Sequence, residues 1–126
     1  MVDIIRRLLV AGLAIGVMAG NADEFTRFYD ESVESARHLA TAADLRSIGL
    51  MLDYQLLKTG HYPQGDAFMA WMQANFKESP TDSLGRDHWG HILVYTVSED
   101  RKRFMLSSAG SDGIPNTLDD LRITGP

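Results

Sequence analysis

The residues best placed by type and spacing to do chemistry lie in SSAGSDGIPNTLDD, Ser107 to Asp120. Asp112, Asp119 and Asp120 bring three carboxylates into a stretch that also carries Gly110, Gly113 and Pro115 and follows directly on a run of strand formers. Three uses are open: a solvated turn, acid–base catalysis, or a loop folded around a hard cation. Acid–base work by paired carboxylates needs one of them in an apolar pocket that raises its pKa. Asp119 and Asp120 stand side by side among polar loop residues, an environment that keeps both ionised. Calcium suits the stretch better, because Ca²⁺ takes about six to eight oxygens, mixes carboxylates with backbone carbonyls and tolerates irregular geometry. Asp112 would offer one carboxylate from a tight Asp-Gly turn. Asp119 and Asp120 would add theirs after the chain reverses through Pro115 and Asn116. The alternating acidic positions and closing glutamate of an EF-hand are missing. On spacing alone a calcium loop and an ordinary Asp-Gly turn both stand, the turn being the commoner use of such residues.

Histidine offers less. His38, His61, His88 and His91 contain no HExxH spacing, and no GxSxG elbow, Walker loop or GxGxxG accompanies them. His88 and His91 flank Trp89-Gly90 at a turn entering a strand, where polar satisfaction of the turn is a commoner role than a shared metal. No nucleophile stands beside a base, so the expectation is a protein that is not an enzyme. At 126 residues there is room for one ordinary domain plus an appendage. The net charge of −5 and the lack of a clustered basic face argue against nucleic acid as a partner. With no cysteine, the chain has neither disulfides nor thiolate ligands.

The elements that must hold the acidic stretch follow from periodicity. MVDIIRR precedes the apolar run Leu8 to Gly20, a basic start and short apolar core of the kind found in secretory signals, with Gly20 and Ala22 as small residues before Asp23. An uncleaved membrane anchor is the rival reading, although a straight span needs about 20 apolar residues. Residues 1–22 are therefore set apart as an anchor-like or signal-like segment, and 23–126 as a globular domain. Phe25, Phe28, Tyr29, Val33, Ala36, Leu39, Ala40 and Ala43 recur at helical steps, which predicts an amphipathic helix over 23–58. Apolar residues crowd together after Leu45, so this helix is expected to be buried there on more than one side; Gly60 and Pro63 end it. Phe68, Met69, Trp71, Met72 and Phe76 predict a short core-facing helix over 65–77. HILVYTVS and RFMLSS, joined by SEDRKR, predict a hairpin over 91–107, and the acidic loop follows over 107–123. The class is α+β, with a long helix against a small antiparallel sheet. Trp89 and Tyr62 are expected as aromatic anchors at the sheet edge.

Taken in order, ADLRSIGLMLDYQLLKTGHYP, the turn in RDHWGHILVY, SSAGSDG and TLDD resemble the globular domain of the major, G-type pseudopilins of type II secretion systems. The resemblance covers Ala42 to Ile123; an N-terminal prepilin signature similar to GFTLIE is not matched. It implies a pilin-like fold with a C-terminal loop holding Ca²⁺. By motif position Asp112 corresponds to the aspartate of the family's GADG turn, and Asp119 and Asp120 to its later acidic pair, with backbone carbonyls near 107–109 and 121–123 completing the shell. The resemblance further implies a structural subunit anchored in the inner membrane by its N-terminal helix. Copies would polymerise into a periplasmic pseudopilus or extracellular filament, with other pseudopilins or secretion components as further partners. A membrane-tethered or exported pilin-like binding module that does not polymerise is the alternative expectation.

Overall fold

The computed structural model describes residues 3–7, 22–76 and 84–126. The apolar run Leu8 to Gly20, the expected end of the short helix at residue 77 and the loop through Pro80 lie outside them. The chain divides into two compact units, residues 1–36 and 37–126.

In the first unit, residues 3–7 are helical and exposed. Helix α1, Ala22–Thr59, begins here with Asp23 and Glu24 in its first turn, where carboxylates favour the positive end of the helix dipole. Phe28 and Tyr29, expected on a buried stripe, are both exposed. Among the described residues no helix is long and apolar enough to cross a membrane.

In the second unit, α1 buries one face. Thr41, Leu45, Ile48 and Leu52, at steps of four, three and four, point into the core, whereas Leu50, Tyr54 and Leu57 are exposed. The expectation of burial on more than one side is thus corrected: a three-stranded sheet is wide enough to cover a single face. Gly49 marks a close approach of helix and sheet, since a Cβ there would lie 2.6 Å from Ile123 Cδ1. Its lack of a side chain explains a residue that is otherwise unfavourable in a helix interior. The helix stops at Gly60, whose amide bonds Leu56 O at 2.7 Å. Lys102 Nζ donates to the carbonyl of Gly60. The short helical segment, predicted over 65–77, is a 3₁₀ turn Gly65–Ala67 followed by α2, Phe68–Asn75.

The sheet holds β1 (Val94–Val97), β2 (Phe104–Ser108) and β3 (Leu121–Gly125) in the order β1-β2-β3. Both pairings are antiparallel, with Leu106 opposite Tyr95 on one side and Ile123 on the other. The expected hairpin pairs over 94–97 and 104–107, and the acidic loop, expected to run through 123, ends earlier because Leu121 already belongs to a strand. On central β2 the burial alternates, with Phe104, Leu106 and Ser108 inside, as a period of two requires. The core joins Leu45, Ile48 and Leu52 to Tyr62, Phe68, Met72, Leu93, Phe104 and Leu106. Tyr62 is fully buried and meets Phe104 edge-on at 4.8 Å, while Phe68 stacks on Tyr95 at 4.1 Å. The β1–β2 turn docks on the same tyrosine, Arg101 O accepting from Tyr62 N at 2.9 Å and Arg101 Nε donating to Tyr62 O at 2.8 Å. Trp89 is half-buried and edge-on to His38.

Candidate metal centre in the acidic loop

Strands β2 and β3 are adjacent and antiparallel, so the segment between them is pinned at both ends and must reverse direction. Ala109 and Gly110 leave β2 still buried, and from Ser111 onward the chain is mostly in water, with Leu118 fully exposed. There are too few buried apolar side chains to order this loop, and polar groups take over. Asp119 is the hub: its Oδ2 accepts from Ser111 Oγ and from the Asp112 amide, each at 3.0 Å, and its Oδ1 from Thr117 Oγ1 at 2.5 Å. These donors, Thr117 first and then the Asp112 amide, hold the Asp119 carboxyl well below its ordinary pKa. Asp120 Oδ2 accepts from the Asn116 amide at 2.6 Å, and Asp112 Oδ1 from the Ile114 amide at 2.9 Å. Thr117 Oγ1 lies within bonding range of Asp119, Asp120 and Ile114 O, yet it has one proton to donate.

Asp112, Asp119 and Asp120 each bring one carboxylate oxygen within 4.8 Å of the others. All three residues singled out from the sequence are therefore gathered by the fold, although eight positions separate the first from the last. The nearby cation is Arg122, whose guanidinium is 4.0 Å from Asp120 Oδ2 and 3.4 Å from Asn116 Oδ1. A donor set made only of oxygen suits a hard divalent cation rather than a thiophilic metal. Engagement with loop donors does not use up the site: Asp119 Oδ2 already accepts twice, but Asp119 Oδ1, Asp112 Oδ1 and Asp120 Oδ2 each keep a lone pair. Gly110 is required where it stands: at φ +72°, a Cβ would meet Asp119 O at 2.3 Å.

The histidines are partnered separately. His88 Nε2 lies 2.8 Å from Asp44 Oδ2, and His91 Nδ1 3.2 Å from Gly110 O. A cavity of about 320 Å³ in the same unit is lined by Asp44, Ser47, Met72, Phe76 and Arg86 among others, with no histidine or lysine among the described residues that line it. Sequence reasoning missed the residues that shape the loop: Ser111 and Thr117 within it, and Asp87 and Ser108 before it. For Asp87 a signal existed, an Asp two residues ahead of a Trp-Gly turn, which is where an Asx-turn acceptor sits.

A long helix laid on a three-stranded antiparallel sheet whose last two strands bracket a carboxylate loop defines a pilin-like α+β protein. The family model for type II secretion system protein G matches residues 29–124, and the chain belongs to that family. It is a family of structural, non-enzymatic pseudopilins that serve type II secretion in the bacterial cell envelope. Comparison with curated proteins and with solved structures gave no significant match.

Proposed function

We propose that this chain is a pseudopilin subunit that polymerises with copies of itself through its N-terminal helix. The filament is rooted in the inner membrane and extends into the periplasm, and Ca²⁺ is held by Asp112, Asp119 and Asp120. The observation that carries the subunit role is the family match over 29–124. Exposed Leu50, Tyr54 and Leu57 on α1 support polymerisation, since large apolar side chains left in water gain free energy when another surface covers them. Three oxygens within 4.8 Å support the cation. Bound there, Ca²⁺ would neutralise gathered like charge and stabilise the folded form by mass action, because the unfolded chain has no such cluster. The carboxylates would keep their amide donors and so fix the loop while binding.

The polymerisation test is electron microscopy of the purified full-length chain with calcium. Helical filaments are expected; a strictly monomeric protein with its N-terminal segment intact would favour the non-polymerising binding module instead. For the cation, calcium should raise the melting temperature, and Asp119→Ala combined with Asp120→Ala should abolish the rise. An undiminished rise in the double variant removes both residues from the site.

A further inference from the structure

Asp87 lies outside the acidic loop, yet the loop begins from it. Its side chain is wholly buried. A buried carboxylate is costly unless hydrogen bonds satisfy it, so its partners show what keeps it there. Oδ1 accepts from the amides of Trp89 at 3.0 Å and His91 at 2.8 Å, which is a local turn cap. Oδ2 does something else: it accepts from Ser108 Oγ at 2.6 Å, reaching the last residue of β2. Ser108 is fully buried, and its Oγ accepts in turn from the Gly110 amide at 3.1 Å. The other side of Gly110 is held from the same place. His91, whose amide Asp87 fixes, sets Nδ1 3.2 Å from Gly110 O; a carbonyl only accepts, so Nδ1 carries the proton. The His91 ring also lies beneath Gly113, where a Cβ would come within 2.7 Å of Nε2.

Both backbone polar groups of Gly110 thus meet residues that Asp87 orients, the carbonyl accepting as well from the Gly113 amide at 3.3 Å within the loop. Gly110 is the surface on which Asp119 rests, a Cβ there meeting the Asp119 carbonyl at 2.3 Å and Oδ2 at 2.8 Å. We infer that Asp87 is a positioning residue for the acidic loop: through Ser108 and His91 it fixes Gly110, and through Gly110 it sets where the Asp119 carboxylate stands. A role confined to capping the 87–91 turn would leave the bond to Ser108 without purpose. As far as it concerns cation binding the inference rests on the calcium reading above; as far as it concerns loop order it does not.

Two variants separate these roles. Asp87→Asn keeps an oxygen for the Trp89 and His91 amides but offers Ser108 a donor instead of an acceptor. Ser108→Ala leaves the turn cap in place, since the Trp89 and His91 amides bond Oδ1, and removes the two Ser108 bonds, to Asp87 Oδ2 and from the Gly110 amide. Amide hydrogen exchange is read on metal-free protein in chelator. In both variants the Gly110 and Asp112 amides should exchange about tenfold faster, the scale of losing one hydrogen bond to a charged group, while β1–β2 ladder amides keep their protection. If Asp87→Asn does not fold, Ser108→Ala alone decides. Unchanged loop amides in Ser108→Ala, or ladder amides that accelerate in parallel with them, would overturn the inference. Calcium titration of the same proteins is the second arm, with about tenfold weaker binding expected in Ser108→Ala on the same scale. Wild-type protein that binds no calcium would sink the calcium reading while the exchange result still decides the role of Asp87.

Discussion

Within residues 37–126 the core and the acidic loop are ordered by opposite means. Leu45, Leu52, Leu106 and Tyr62 are held by exclusion from water between α1 and the sheet, and what fixes them is shape. A dozen residues along the chain from Leu106, Leu118 stands fully in solvent, and the loop keeps its course because Asp119, Asp120 and Asp112 accept bonds from its own amides and hydroxyls. Burial is indifferent to ions and, below the tyrosine range, to pH. Carboxylate-centred order responds to both. On the proposed calcium reading, a subunit built this way would keep a constant body and carry a segment that its surroundings could tighten.

The largest effect that tests this contrast comes from the core. Leu52→Ala removes a side chain with no exposed surface, and cavity formation should cost about 2–5 kcal/mol. Urea denaturation should show a lower midpoint by that amount, the same in calcium and in chelator. A loss that calcium reverses would mean that the two regions are one cooperative unit.

Titration should split the regions next. Burial, with the bond to Asp53 adding to it, pushes the Tyr62 pKa well above its ordinary value, and burial pushes Tyr95 up to about 12. Groups raised in the fold contribute stability that is whole below the unfolded value of 10.0 and is lost as pH climbs through the folded values. The core therefore owns the alkaline limb, between pH 10 and the folded tyrosine values. Asp119 is shifted the other way, so its contribution is present above the ordinary 3.8 and is lost as pH falls below it. Below pH 3.8, loop amides in exchange-sensitive spectra should move before the near-ultraviolet signal of the aromatic core does. Simultaneous loss of both signals on the acid side would erase the distinction.

The same contrast explains what could be read from the sequence. Composition carries burial, so the apolar crowding after Leu45 and the strand-forming run RFMLSS were legible as core-bound segments, whereas the single helix face of Leu45, Ile48 and Leu52 was not. Phe28, Tyr29, Leu50 and Tyr54 were misread because a pattern reports which residues are apolar and says nothing of how wide the covering surface is. Strand β3 was hidden for another reason: LRITG is a five-residue edge strand with only Leu121 and Ile123 to signal it, and its pairing with β2 is a contact across the whole loop. The three aspartates were legible because carboxylates clustered around glycine and proline stand out by type. Asp87 was not, since a local turn accounts for it until the fold brings Ser108 to its second oxygen.

The smallest predicted effect sharpens the comparison from within the core. Tyr62 is at once the most deeply buried aromatic ring and a polar group, its hydroxyl donating to Asp53 Oδ1 at 2.8 Å. Tyr62→Phe keeps the ring against Phe104 and deletes only that bond, which should cost about 0.5–1.5 kcal/mol at neutral pH. The informative result lies above pH 10. The variant has no phenol to deprotonate at this position, so its stability should fall less steeply there than that of the wild type, and the two curves should converge. Curves that stay parallel to high pH would assign the alkaline limb to Tyr95 alone, and would leave Tyr62 as a packing residue whose hydroxyl is merely satisfied.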